Sequence, residues 1–201
     1  MSEMEADVVS IDGATSAADG FERGRIQAAG EWLVYCHQDM YFPKGAGLAI
    51  LAELSAIPDD RKRDMIVGLI GLAEMTPERT ANGGTQFSGF IIDRTMRLDF
   101  EPTDNAISID ESCVIMHRDC LHRIDPAMGW HLWATDLVVG ARARSTMPPC
   151  KVVRVPVFHN SLTGWSFTDA FHSSVQQMFD KYPDCKNVIS LCGTWARYPS
   201  A

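Results

Sequence analysis

Residues 32–43 read WLVYCHQDMYFP. The apolar run 32–36 has the length and composition of a buried strand, and it stops abruptly at His37, Gln38 and Asp39 before the chain turns apolar and aromatic again. An imidazole and a carboxylate two residues apart can bind a metal ion or carry a proton. In open α/β sheets, ligands bind outside the carboxyl ends of the strands. This stretch therefore predicts a functional site at the end of a buried strand.

Strand-like and helix-like segments alternate along the rest of the chain. Most of the strand-like segments are apolar on both faces, which is typical of a sheet covered by helices on both sides. We therefore predict an α/β fold with a single, mostly parallel sheet flanked by helices. The predicted strands are 8–12, 32–36, 65–73, 107–117 and 152–159, and the predicted helices are 16–30, 45–54, 130–144 and 167–182.

The chain of 201 residues has the length of one domain, and we predict a single domain over 1–201. Residues 75–106 are rich in Thr, Asn, Gly, Pro and charge, with one short strand candidate at 88–93, so this segment is predicted to be a loop-rich insertion. Residues 165–201 are predicted to form a C-terminal helix and tail.

Composition narrows the classes of partner and the compartment. A net charge of −8 argues against a nucleic-acid backbone as the main partner. No apolar stretch approaches the roughly 20 residues that span a bilayer, and the acidic start MSEMEADVVS lacks the basic region of a signal peptide. The sequence therefore predicts a cytoplasmic protein without a transmembrane segment, and its six cysteines are expected to be reduced thiols.

A zinc site is one interpretation of Cys113, His117, Cys120 and His122, which lie close together in the sequence. Their spacing matches none of the usual zinc-binding patterns. Cys113 also falls within an apolar, strand-like run, so the sequence favours thiols that pack as small hydrophobic side chains.

A second strand also ends in a candidate ligand. The strand predicted at 152–159 finishes at His159, so His159 and Asp39 would meet at one crevice and could hold a divalent cation. Alternatively, His37 and Asp39 cap the end of a strand and bond to loop amides.

Two further acidic positions interrupt apolar segments. Asp136 lies in an apolar, aromatic helical segment, where desolvation would raise its pKa and suit it to act as a general base. It could equally lie on the exposed stripe of an amphipathic helix. Asp110 and Glu111 break the strand predicted at 107–117, so they either face solvent at an edge or reach into a site.

In their order along the chain, these segments resemble the GT-A glycosyltransferases. The similarity is greatest to the family 2 branch, in which a strand ends in His-Gln-Asp in place of Asp-x-Asp, and it covers most of residues 8–160. The segments that carry it are GFERGRIQAAGEWLVYCHQDMYFP, SIDESCVIMHRD, WHLWATDLVVGARA and VVRVPVFHNS.

The resemblance implies roles for individual residues. Asp39 and His159 would bind Mn²⁺ or Mg²⁺ on the diphosphate of a nucleotide-sugar donor, and Asp136 would be the base that takes the proton of the acceptor hydroxyl in an inverting reaction. The acceptor would be a carbohydrate or another hydroxyl compound. The residues expected to contact donor or acceptor are His37, Gln38, Asp110, Glu111, Trp130 and His131.

Two features depart from the family pattern. The family normally carries further β-α units before the segment that begins here at 8–12, and these build most of the nucleoside pocket, so the domain is expected to be N-terminally short. Glu22 also stands where such sequences commonly have Asn. A catalytically silent binding domain is therefore one alternative function, and a metal-dependent hydrolase using His37, Asp39 and His159 is another, with Asp136 as its base.

The same departure predicts self-association. Without those units, the strand at 8–12 or its neighbour becomes an unpaired edge, and an unpaired edge is a template for association. We therefore predict a two-fold homodimer. The alternative is a monomer in which residues 1–7 and 192–201 fold back over this surface.

Overall fold

A computed structural model describes residues 6–161 and 167–197. The α-helices of the described residues are α1 (Ala17–Gln27), α2 (Ala46–Ser55), α3 (Pro77–Ala81), α4 (Trp133–Arg144) and α5 (Asp169–Lys181). The strands are β1 (Trp32–Cys36), β2 (Met40–Tyr41), β3 (Ile66–Gly68), β4 (Ile70–Ala73), β5 (Phe87–Asp93), β6 (Met96–Phe100), β7 (Ala106–Ile109), β8 (Cys113–His117), β9 (Cys150–Val152), β10 (Phe158–His159), β11 (Asn187–Ser190) and β12 (Gly193–Ala196).

The strands form three sheets, so the prediction of an α/β fold is confirmed and the prediction of a single, mostly parallel sheet is wrong. The first sheet has the order β1-β8-β3-β9, and the second has the order β2-β10-β5-β4-β7 with β6 added on β5. Among the described pairs, β3–β9 and β10–β5 are parallel and the rest are antiparallel. One physical reason is the length of the connections: β5–β6 and β11–β12 are each joined by a turn of two residues, which can only link antiparallel strands.

Several predicted boundaries change for local reasons. Residues 65–73 divide at Leu69 into β3 and β4, which belong to different sheets. Gly89 on β5 makes this crossing possible, since a side chain there would lie 2.1 Å from the Leu69 carbonyl oxygen. The strand predicted at 152–159 is interrupted between β9 and β10, where Pro156 has no N–H to donate to a sheet.

Two predicted segments are wrong. Residues 8–12 form no strand, and Val8 is 87% exposed. Residues 75–106 are not loop-rich, since they contain α3, β5 and β6. Helix α3 begins because Thr76 accepts a hydrogen bond from the Arg79 N–H and Pro77 occupies the first turn.

The four predicted helices are confirmed, and they correspond to α1, α2, α4 and α5. The side chain of Ser16 caps α1 by accepting a hydrogen bond from the Asp19 N–H, at 3.1 Å. Helix α5 is amphipathic and buries Phe171, Val175 and Met178.

The first sheet is covered on both faces, as its apolar strands predicted. Alternate residues of β3 and β8 point to opposite sides: Ile66 and Val114 join a core formed with α1, α4 and α5, whereas Val67 and Ile115 join a core formed with α2. The strand β1 is the terminal strand of this sheet within the described residues.

The segment predicted as a C-terminal helix and tail contains more structure than expected. Helix α5 is followed by the hairpin β11–β12, and Trp195 of this hairpin packs on Phe167 and Phe171 with ring centroids 5.4 and 5.0 Å apart. Residues 1–5 and 198–201 lie outside the described residues, as do 162–166. None of the described helices is long and apolar enough to cross a membrane.

Candidate functional site

The ends of β1 and β10 meet, and this brings His37 and Asp39 to His159. The backbone N–H of Met40 donates to the His37 carbonyl at 3.2 Å, which turns the chain directly after β1 into β2. Strand β2 then pairs with β10, where His159 lies opposite Met40. The backbone N–H of Asn160 donates to the Asp39 carbonyl at 3.0 Å and holds the two loops together.

We call His37, Asp39 and His159 the His–Asp cluster. Their ligand atoms all lie within 4.8 Å of one another, and no other group of three or more potential metal ligands of this kind occurs in the described residues. Oδ1 of Asp39 lies 3.3 Å from Nε2 of His159, and the centroids of the two imidazole rings are 5.6 Å apart. The prediction that Asp39 and His159 approach each other is therefore confirmed.

A further carboxylate, not predicted from the sequence, lies beside the cluster. Asp93 is the last residue of β5, which runs parallel to β10 and pairs Asp93 with His159. Oδ1 of Asp93 lies 3.7 Å from Nδ1 of His159. The signal was present in SGFIID, which ends in an acid just as WLVYC is followed by His-Gln-Asp, but it was obscured by the prediction of a loop-rich insertion.

Unpartnered buried polar atoms concentrate at this site. Five buried side-chain nitrogen or oxygen atoms of the described residues have no hydrogen-bond partner, and four of them belong to Asp39, Asp93, Glu111 and Ser112. Buried polar groups are normally hydrogen-bonded, because leaving them without partners costs free energy. The unpartnered Asp39 oxygen lies among the convergent nitrogen and oxygen atoms of the cluster, and this arrangement fits a bound cation.

The surroundings of His37 shift its pKa in the direction that favours metal binding. Desolvation by the surrounding protein lowers the pKa of His37, and the nearby charge of Asp110 opposes this shift. A metal ligand must be the neutral imidazole, so the lowered pKa favours the form of His37 that can bind a cation.

Asp110 borders the site through the turn that joins β7 to β8. Its Oδ1 accepts a hydrogen bond from the Ser112 N–H at 2.9 Å, and the Ser112 carbonyl in turn accepts the His37 N–H at 3.1 Å. This turn therefore connects the acidic pair Asp110–Glu111 to the end of β1.

The carboxyl group of Glu111 has a strongly shifted pKa. Burial raises the pKa from 4.5 to about 8, and the neighbouring charge of Asp110 adds to the increase. Backbone N–H groups of Leu132, Trp133 and Ala134, at the start of α4, lower the pKa but do not offset these effects. Glu111 is therefore poised to exchange a proton near neutral pH.

The start of α4 is strained where it faces Glu111. Leu132 is buried and has φ 58, in the left-handed region that residues other than glycine rarely occupy. Such a conformation costs on the order of 1 kcal/mol or more and tends to occur at functional sites.

Asp136 lies elsewhere, in a buried contact between α4 and the end of α5. Its Oδ2 accepts a hydrogen bond from Lys181 Nζ at 2.8 Å, and its Oδ1 accepts one from the Tyr182 hydroxyl at 2.8 Å. Asp136 is only 2% exposed. Both carboxylate oxygens are engaged by donors within the fold, which favours a structural role over the predicted role as base.

The other predicted contact residues are not members of the cluster. Gln38 is exposed beside the cluster, and Trp130 is 53% exposed just before α4. The ring of His131 packs against Phe171 at 5.7 Å, and burial lowers its pKa. Glu22, the departure from the family pattern, forms an ion pair with Arg25 on α1.

The alternative zinc set does not assemble. Cys113 and His117 lie at opposite ends of β8, with Cys113 opposite Cys36 and His117 opposite Trp32. The thiols of Cys113 and Cys120 are buried, and burial raises the pKa of each. They pack as small hydrophobic side chains, as the sequence indicated.

A cavity of about 570 Å³ lies between α1 and residues 117–129, and it is lined by no member of the His–Asp cluster. Two of its arginines are already bound within the protein: Arg118 donates to the carbonyls of Ala28 and Ala29, and Arg25 donates to Glu22. We therefore place the candidate site at the cluster and not in this cavity.

Comparison with protein-family models and with curated proteins finds no match for this chain. Its function is therefore inferred from its residues and their geometry.

Proposed function

We propose that this chain is a metal-dependent, inverting glycosyltransferase that moves a sugar from a nucleotide-sugar donor to a hydroxyl group of a carbohydrate or other acceptor. One observation carries the proposal. Three residues from two separated strand ends, which the resemblance to GT-A enzymes implies as donor and metal contacts, have their ligand atoms within 4.8 Å of one another.

His37, Asp39 and His159 would hold the cation, with two imidazole nitrogens and a carboxylate oxygen. When bound, a divalent cation neutralises charge that develops on a departing diphosphate. Mn²⁺ suits the set better than Mg²⁺, since Mg²⁺ strongly prefers oxygen ligands. The acidic surroundings of Asp93 and Asp110 further favour a cation over an unaccompanied phosphate.

Glu111 replaces Asp136 as the proposed base. A general base is most effective when its pKa lies near the operating pH, and the pKa of Glu111 is about 8. Its deprotonated carboxylate would accept the proton of the acceptor hydroxyl as that oxygen attacks the sugar. Burial keeps this pKa high, and the neighbouring negative charge of Asp110 adds to the increase.

The hydrolase alternative uses the same three metal ligands, and it would likewise need a base other than Asp136, because both oxygens of Asp136 are engaged by Lys181 and Tyr182. A silent binding domain remains the outcome expected if no transfer occurs.

The proposal is tested by incubating the purified chain with UDP- and GDP-sugars and measuring release of the nucleoside diphosphate, with a panel of sugars as acceptors. We expect release that requires Mn²⁺, stops in EDTA and is lost in Asp39→Asn. Asp59→Asn is the matched control, because the Asp59 side chain is 95% exposed and remote in the sequence from the cluster.

Each contrary outcome would indicate a different function for this protein. No release from any donor in the presence of Mn²⁺ would contradict the transferase and leave a binding domain. Metal-dependent cleavage of simple phosphate esters, without a requirement for a nucleoside, would indicate a hydrolase.

A further inference from the structure

His159 lies between two carboxylates, one on each side of its ring. Nε2 is 3.3 Å from Asp39 Oδ1, and Nδ1 is 3.7 Å from Asp93 Oδ1. Both of these carboxylate oxygens are buried and have no hydrogen-bond partner.

A neutral imidazole has one N–H donor and one lone pair. It can therefore satisfy one of these carboxylates as a donor and no more. The other ring nitrogen must either meet a cation with its lone pair or take up a proton.

The two carboxylates are held in different ways. Asp39 lies in the turn after β1 beside His37, where three ligand atoms converge. Asp93 is fixed by the register of β5 on β10, outside that convergent group. Nε2 of His159 therefore faces the group that can bind a metal ion, whereas Nδ1 faces only the carboxylate of Asp93.

We propose that Asp93 is a positioning residue for the metal centre: it accepts the Nδ1–H of His159, and so directs the Nε2 lone pair toward the cation held with His37 and Asp39. The inference rests on the metal site of the proposed function, but not on a nucleotide or sugar. The 3.7 Å separation exceeds a hydrogen bond, and we expect it to shorten when a cation fixes the ring, because such contacts often tighten only in the loaded state.

Carboxylates that accept the second N–H of a metal-bound histidine fix its tautomer and raise its basicity. Removing such a carboxylate typically weakens metal binding by about 10–100-fold. We therefore expect Asp93→Ala to raise the dissociation constant for Mn²⁺, measured by the electron paramagnetic resonance of free Mn²⁺, by about 10–100-fold. Asp93→Asn, which keeps an acceptor oxygen but no charge, should show a smaller loss.

Asp104→Ala is the matched control for charge, since the Asp104 side chain is 93% exposed. It removes one negative charge and should leave the Mn²⁺ affinity nearly unchanged. Thermal unfolding of each variant without metal checks that the fold persists.

The tautomer gives a readout that a purely structural role would not change. In ¹⁵N-labelled protein loaded with diamagnetic Zn²⁺, we expect the His159 proton on Nδ1 and the metal on Nε2. A proton on Nε2, or an Asp93→Ala variant that binds Mn²⁺ within about threefold of the wild type, would overturn the inference.

Failure of this inference can be distinguished from failure of the proposed function. A wild-type chain that binds Mn²⁺ but no nucleoside diphosphate contradicts the glycosyltransferase and leaves the role of Asp93 intact. A wild-type chain that binds no Mn²⁺ overturns both.

Discussion

Oδ1 of Asp39 lies 3.3 Å from Nε2 of His159, although the two residues are far apart in the sequence. The contact depends on β2, which follows Asp39 and pairs directly with β10. Because two short strands fix both residues, the cluster is part of the fold and does not rely on a long loop. Sites built on regular elements hold their geometry better than sites on loops.

Replacing Glu111 with Gln should slow transfer without weakening donor binding. The amide has nearly the same shape but cannot accept the hydroxyl proton, and general-base assistance contributes about 10²–10⁴-fold to a rate. We expect kcat to fall by that factor while the KM for the donor changes little. Glu78→Gln is the control, because Glu78 is an exposed residue of α3. An unchanged kcat in Glu111→Gln would remove Glu111 from the reaction.

Glu111 should also make stability depend on pH. Its pKa is about 8 in the folded protein, against an ordinary value of 4.5, so the folded state binds more protons than the unfolded state between these two values. The free energy of unfolding therefore falls as pH rises through this window.

The Glu111→Gln variant should not show this fall in the free energy of unfolding with rising pH. In urea unfolding with EDTA present, the variant should match the wild type near pH 4–5 and exceed it by more than about 1 kcal/mol above pH 8. A difference between the two proteins that stays constant with pH would show that burial does not shift this carboxyl group.

Asp136→Asn should affect stability and not the chemical step. The change weakens the hydrogen bonds that Asp136 accepts from Lys181 and Tyr182 at a buried position. We expect a loss of about 1–3 kcal/mol in the free energy of unfolding, with kcat retained at temperatures where the variant is folded. Asp180→Asn, at an exposed position of α5, is the control. Loss of kcat in folded Asp136→Asn would restore the base role to Asp136.

Self-association should involve β1. It is the terminal strand of the first sheet within the described residues, and Val34 at its centre is 44% exposed. Apolar edge strands template pairing with another chain, and a lysine on the edge blocks it. We expect the wild type to sediment as a dimer at micromolar concentration and Val34→Lys to sediment as a monomer. A wild type with the mass of a monomer would contradict this prediction.

Part of the fold could be predicted from local patterns. Helices α2, α4 and α5 and strand β1 were predicted because each has a clear apolar period or run, and the burial of both faces of the first sheet followed from the same runs. Strand direction could not be predicted from these patterns, because it depends on connections such as the short turn between β5 and β6. Residues 65–73 appear as one apolar run, yet they divide between two sheets where Gly89 permits close approach.

The site was predicted in part for related reasons. His37, Asp39 and His159 were identified because they follow apolar strands, and this rule does not depend on strand order. Asp93 was missed although a strand candidate was recognised at 88–93, because the segment around it was predicted to be a loop-rich insertion outside the main sheet. The different surroundings of Glu111 and Asp136 could not be predicted either. Glu111 is surrounded by the start of α4, and Asp136 is bound by the end of α5.

Calorimetric titration with Mn²⁺ and nucleoside diphosphates tests the central claim most directly. We predict that UDP or GDP binds the wild-type chain in the presence of Mn²⁺ and not in EDTA, and that His159→Ala abolishes this binding. His172→Ala, at an exposed position of α5, should bind like the wild type. Binding that is equally strong in EDTA, or no binding of either diphosphate in the presence of Mn²⁺, would contradict a metal-dependent nucleotide site at His37, Asp39 and His159.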